Sequence, residues 1–384
     1  MQRSEVKKEA AIELRVFGSF AQIEPLWASL EGWQGHPSLW PAWLRALEET
    51  GCVAEKNGWV PYHFAIFDQG ELLAAAPCYL KLNSEGEFIF DHGIARAAAR
   101  FGVDYFPKLL SAVPFTPTNG PRVLVAKGKD RERALAAFAA ALQALTEKLG
   151  VSSAHVLFLP REDALSLADK GIFQRASVQF HFKNPGYESF EHFLASLPTK
   201  RRTQLRRERR YPAEQGIAID TLSGDALTPA MADAMYRLYL TTVDKFSWGR
   251  RYLSRDFFEA VFASMPHGIE MVVAKRGSEL VAGAFNLRGQ DALYGRYWGA
   301  HVEVPFLHFN VCYYHTVERA ITERIALFEP GAGGEHKTVR GFHPTITHSV
   351  HLFSDPRFAL AIADFFDRER EAIESELAPA ESGG

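Results

Sequence analysis

The sequence is poor in cysteine, with Cys52, Cys78 and Cys312 the only three, far apart and odd in number. That excludes a disulfide-stapled framework and predicts free thiols in a reducing compartment. No apolar run approaches the ~18 residues that cross a bilayer, so no transmembrane helix is expected. The opening MQRSEVKKEAAIELRVFGSF is charged throughout and lacks an apolar core. It does not read as a signal peptide, and the cytoplasm is the expected location. Neither sign of charge dominates: 43 Lys and Arg face 46 Asp and Glu, for a net charge of −3. Bulk charge therefore excludes a general polyanion binder, and nucleic-acid contact would require a local basic patch.

What is present is an ordinary globular composition, 47% hydrophobic and 23% charged over 384 residues. That length favours two domains and buries a large part of its surface. Apolar spacing predicts helices over 23–30 and 39–50. YHFAIFDQGELLAAAPCYLKLN predicts a hairpin turning at Asp68, Gln69 and Gly70. GEFIFDHG predicts a short strand ending at Asp91, and KLLSAVPFTPTNGPRVLV an extended stretch broken by prolines. RERALAAFAAALQALTEKLG predicts an amphipathic helix stopped by Gly150, and SAHVLFLP a buried strand. The second half repeats the order. A polar helical bridge broken near Pro198 leads to the strand IAIDTL, two helices, and three strands within GIEMVVAKRGSELVAGAFNLRGQDALYGRYWGAH. The helix HFNVCYYHTVERAITER, the strand IALFEPG and a closing helix follow. Such repetition implies an internal duplication and an α+β fold of mixed sheets flanked by helices. The expected division is 1–185, then 186–377 opening with a basic helical segment, then a disordered tail over 378–384.

The densest chemistry lies in FEPGAGGEHKTVRGFHPTITHSVH, residues 328–351. Its residue types suit a phosphate cradle, a metal site or an acyl-transfer site. A Walker-type loop needs G-x-x-x-x-G-K-[ST] opening a helix, and TVRGFHP opens none. A metal site would draw on His336, His343, His348 and His351, whose spacing fits no established template. On a strand, His348 and His351 would also face opposite ways. Acyl transfer to an amine needs a proton acceptor, donors for a tetrahedral oxyanion and a site that aligns two substrates. Lys337 is the candidate for charge stabilisation and Arg340 for holding an anionic substrate. Glu335, His336 and Asp91 are the candidate proton carriers. LYGRYWG offers Arg296 and Tyr297, and PFTPTNGP offers Thr116, Thr118 and Asn119, as substrate contacts. The run KRRTQLRRERR carries seven cations against Glu208 alone. At about 100° per residue they spread around a helix. The run reads either as a solvated bridge or, through Arg202, Arg206 and Arg209, as a contact for a phosphate-rich partner such as tRNA, a nucleotide-linked precursor or an anionic membrane surface.

The strings GEFIFD, YFPKLLSAVPFTPTNGPR, KRRTQLRRERR, LYGRYWG, LHFNVCYY and GEHKTVRGFHPTITHS lie between about residues 86 and 349. On them the chain resembles the FemAB-like predicted N-acyltransferases, a branch of the GNAT acyltransferase superfamily. The resemblance implies tandem GNAT-like domains with an active-site cleft between them, and transfer of an acyl or aminoacyl group to an amine. Better-understood Fem relatives move amino acids from aminoacyl-tRNA to peptidoglycan precursors. They carry a phenylalanine-lysine pair where this chain has His336 and Lys337. GNAT enzymes that use acyl-CoA hold its pyrophosphate on a Gln/Arg-x-x-Gly-x-Gly/Ala loop. The corresponding stretches here, GAHVEVPFLHFN and TPTNGPRV, lack that pattern, and proline supplies no N–H. Acyl-CoA and aminoacyl-tRNA both stay open as donor. The expected acceptor is a small-molecule or peptide amine attacking directly, with no permanently bound cofactor and no metal. A non-catalytic binding protein on this scaffold and an RNA-associated protein led by the basic helix are the alternatives.

Overall fold

The computed structural model describes residues 12–245 and 250–377. Their strands form one sheet of eleven and one of five. The smaller sheet is built on the hairpin His63–Asp68 and Glu71–Ala76, joined by Ile12–Phe17 on one side and Leu124–Ala126 on the other. The larger sheet runs from Ile217–Leu222 through Ile269–Arg276, Glu279–Arg288, Ala292–Ala300 and Leu327–Glu329. It continues through Phe173–Lys183, His343–Phe353, Ser153–Leu159 and Lys108–Ser111 to its far edge.

This order ties the two halves of the sequence together. His343–Phe353, near the C-terminal end, lies antiparallel between Phe173–Lys183 and Ser153–Leu159 of the first half. One apolar core also crosses the expected boundary at residue 185. Trp43 packs edge-on against Phe257 at 5.0 Å and stacks on Phe285 at 6.1 Å between ring centres. Sheet and core thus make the halves one packed body.

Each half nevertheless carries the same crossover. Lys108–Ser111 runs parallel to Ser153–Leu159, with helix Arg131–Leu149 between them in sequence. Ala292–Ala300 runs parallel to Leu327–Glu329, with helical turns from Leu307 to Thr322 between them. Val113-Pro114-Phe115 follows the first strand of one pair and Val304-Pro305-Phe306 the first strand of the other. Both phenylalanines take a left-handed backbone, with φ of 56° and 64°, which is uncommon for a bulky residue. The same tripeptide in the same strained conformation after equivalent strands is the mark of duplication in this chain.

Most predicted elements form, including helix Pro41–Glu49 and the helix ended by left-handed Gly150. GEFIFD forms no strand. Asp91 instead sits at the N-terminus of helix His92–Arg100. The apolar residues of this stretch follow no period-2 alternation that a sheet face could use, and Ile94 and Ala98 bury at helical spacing.

Candidate functional site

The site is built where two parallel strands part. Ala292–Ala300 and Leu327–Glu329 are paired at Tyr294 and Glu329. Just beyond, the chain turns away through Pro330 and Gly331, leaving Gly295 facing Pro330 so closely that a Cβ on it would stand 3.2 Å from Pro330 Cα. The neighbouring ladder is disturbed at the same place: Phe285 pairs with Tyr297 and Asn286 with Gly295, so Arg296 is an extra, bulged residue. Bulges of this kind re-aim side chains.

Two cavities open around this parting. A small one of about 70 Å³ is lined by Asn286, Gly295, Arg296, Cys312, Tyr313 and Pro330. A larger one of about 970 Å³ lies against Trp298, Val302, Phe306, Leu307 and Phe309. Trp298 and His308 line both, so they are adjoining chambers. Burial and neighbouring cations push the His308 imidazole down to about 4, so it stays neutral at physiological pH.

The wall bearing Cys312 and Tyr313 is a π-helical turn, Asn310–Tyr314, between two α-helical pieces. Such turns are rare and recur at functional sites. Glu208 anchors both ends of this one. Its backbone carbonyl accepts from Asn310 Nδ2 at 2.8 Å, and its carboxylate accepts from the Tyr314 hydroxyl. The same carboxylate accepts from Arg340 at 3.0 Å and from Gln204 at 2.7 Å. Arg340 also donates to the Tyr314 hydroxyl and the His336 carbonyl and lies 3.5 Å over the Phe309 ring. Glu208 thereby joins the basic helix, the π-turn and the short 3-10 turn Glu335–Arg340.

That turn delivers Lys337. Its ammonium is buried, donates to the carbonyls of Gly331 at 2.8 Å and Gly333 at 2.6 Å, and lies 6.0 Å from the Tyr313 ring centre. Burial pulls its pKa down to about 8. His336 is exposed and its Nε2 stands 3.1 Å from the Tyr313 hydroxyl. The Glu335 side chain lies outside the described residues.

The first half closes the other side. Phe115 O accepts from Arg296 and, at 3.0 Å, from the Tyr297 hydroxyl. Asn119 donates to Glu329 twice, from its backbone N–H at 3.1 Å and its Nδ2 at 3.3 Å. Glu329 is 3% exposed. Burial pushes its carboxyl up to about 7 against the pull of Asn119, Arg122 and Arg296. A carboxyl poised near neutrality is suited to general base work. Glu329 is the residue the sequence reading passes over. Its signal is a lone acid closing the apolar strand IALFEPG.

A family model described as peptidoglycan biosynthesis/recognition matches residues 19–383. The chain belongs to the FemAB-like family. FemAB-like membership supports an acyl- or aminoacyl-transferase role in general. Among curated proteins, none matches this FemAB-like chain in sequence. Among solved structures it is similar to FemX, at 12% identity and a TM-score of 0.51, covering 91% of this chain and 99% of that one. A Bacteroides thetaiotaomicron conserved protein of unknown function is similar at 10% identity and a TM-score of 0.51, covering 89% and 99%. A tandem GNAT protein from the clavulanic acid biosynthesis pathway overlaps more loosely, at 10% identity and a TM-score of 0.44, covering 90% and 99%. The fold is FemX-like.

In this FemAB-like chain the other sequence candidates lie as follows. Arg340 has its donors taken by Glu208, Tyr314 and His336, so its place is structural rather than open to an anion. Asp91 is buried with Lys108, Tyr105 and Glu87 in the first half, and its partners include none of the Lys337 turn. Thr116 donates to the Pro114 carbonyl, and the Thr118 hydroxyl stands 3.2 Å from that of Ser38, so both tie the loop down. Arg206 pairs with Glu191 and Arg209 with Glu318, while Arg202 donates to the Thr199 hydroxyl. The histidines disperse: His351 Nδ1 is 2.6 Å from His155 Nδ1, His348 meets Gln174, and His343 lies opposite His181. No described helix is long and apolar enough to cross a membrane.

Proposed function

We propose that the protein transfers an acyl or aminoacyl group to an amine at the parting of Ala292–Ala300 and Leu327–Glu329. The observation that carries this reading is Glu329, a buried carboxyl with a pKa of about 7 at the last pairing before the strands part, held by Asn119 of the first half. Glu329 takes the proton of the attacking amine. Lys337, a buried cation bonded to backbone carbonyls, stabilises charge that builds on the leaving group. Arg296 and Tyr297 fix the loop 114–121, and Asn119 holds the Glu329 carboxylate in place. His336 orients Tyr313. The larger chamber holds the donor. A peptidoglycan precursor is the favoured acceptor, on the strength of the family alone.

The loop between Ala292–Ala300 and Leu307 contains Glu303 and Pro305, an unfavourable lining for a pyrophosphate. This supports aminoacyl-tRNA over acyl-CoA, with the exposed Arg207 of helix Thr199–Glu214 near the chamber rim. Arg207 lies 5.9 Å from the centre of the Phe306 ring. The test offers the protein acyl-CoA thioesters and aminoacyl-tRNA in parallel, with a peptidoglycan precursor carrying a free amine, and weighs the product by mass spectrometry. Transfer from one donor class, lowered roughly a hundredfold or more in Glu329→Gln, is the expected result. No transfer from either class, or a fully active Glu329→Gln, would refute the reading.

A further inference from the structure

Asn286 is a polar group that the site as described leaves unused. It is 1% exposed, lines the small cavity, and its Nδ2 is buried with no hydrogen-bond partner among the described residues. Buried amides are nearly always paired, and one left over needs a reason. An apolar side chain would suit this position better on stability grounds alone, since Asn286 is itself buried and Ala284, the preceding residue on its face of the strand, is buried too. Its cross-strand neighbour Glu270 does not take it up, because that carboxylate is held by Arg319 at 3.0 Å.

The backbone around Asn286 is arranged to keep space in front of its amide. Directly opposite is Gly295, with no side chain to cover it. The bulge at Arg296 breaks the ladder at that point, and Pro330 leads the next strand away. The space left, about 70 Å³, fits a carbonyl group and little more. The chain attached to that carbonyl has the adjoining chamber of about 970 Å³.

We infer that Asn286 is a catalytic residue whose side-chain N–H binds the donor's acyl carbonyl oxygen and stabilises the oxyanion formed on it. This rests on the transferase reading above. The neutral amine nitrogen of the acceptor attacks the carbonyl carbon. A C–N bond forms, and the carbonyl π pair moves onto oxygen, where the Asn286 N–H meets it. The pair then returns, and the bond from carbon to the donor's sulfur or oxygen breaks. The proton lost by nitrogen ends on the departing thiol or hydroxyl. An amide suits this task because it donates without carrying a charge or a proton to lose, and a strand holds it still.

The test uses the full chain with Asn286→Ala and Asn286→Leu, the second close to asparagine in volume. On whichever donor the unaltered protein uses, both variants should lose kcat by about 10²–10³-fold, with KM for donor and acceptor within about twofold. Neither should be less stable by thermal unfolding, because an unpaired buried amide is being removed. Unaltered kcat, a change confined to KM, or a marked loss of stability in Asn286→Leu would overturn the assignment. An unaltered protein inert toward every donor class would overturn the transferase reading and this one with it. An active parent with active variants would overturn this one alone.

Discussion

Glu208 is the single acid within a run of seven cations, and its burial explains its presence there. At 1% exposure it is the partner that makes a buried Arg340 tolerable. Removing one member of such a pair leaves the other charged in a place of low polarity. Arg340→Met should therefore cost about 3–5 kcal/mol of stability, read from the urea midpoint. The double change Arg340→Met with Glu208→Gln should cost clearly less than the two single changes together. Additive effects would mean that the two residues do not act as a pair. Lys337 is legible in the sequence because it stands in a glycine-rich loop that resembles a known site. Glu329 is not, because the loop whose Asn119 holds its carboxylate lies 210 residues earlier. The apolar strand that Glu329 closes hints at burial but names none of its partners. Asn286 is hidden for the same reason: FNLRG reads as one more edge of a hairpin until the bulge and Gly295 are seen.

At the scale of elements, the turn signals and periodicities carry far. The hairpin at Asp68 to Gly70, the three consecutive strands of the second half and the helix stop at Gly150 all come from local chemistry. GEFIFD shows the limit, since a short apolar run is ambiguous until its packing partners are known. The parting strand also depends on close backbone approach. Helix Pro229–Val243 lies so near Ala292–Ala300 that a Cβ on Gly299 would stand 1.8 Å from the carbonyl oxygen of Leu238. The Thr242 hydroxyl donates to the Trp298 carbonyl at the same contact, at 2.8 Å. Gly299→Ala must push helix and strand apart. It should lower stability by roughly 1–3 kcal/mol, as overpacking does, and disturb the larger chamber that Trp298 lines. A urea midpoint equal to that of the parent protein would show that the contact is looser than described.

At the scale of the whole molecule, the repeated order of elements is readable from sequence, but the way the halves interlock is not. Antiparallel pairing of His343–Phe353 with Phe173–Lys183 joins residues some 170 positions apart, as Thr347 and Ser177 show. Local spacing holds no information about such a pairing. That interlocking brings the loop 114–121 of one half onto Glu329 of the other and so completes the site. It also sets its pH dependence. Glu329 must be ionised to accept a proton, so transfer should rise as pH passes about 7. Lys337 must be protonated to stabilise negative charge, so transfer should fall as pH passes about 8. The most direct test of the account is the pH profile of kcat for the parent protein beside Glu329→Gln, on the donor that supports transfer. The account predicts a narrow bell between these two values whose rising limb disappears, at much lower rate, in the variant. A rising limb that persists unchanged in Glu329→Gln would contradict it.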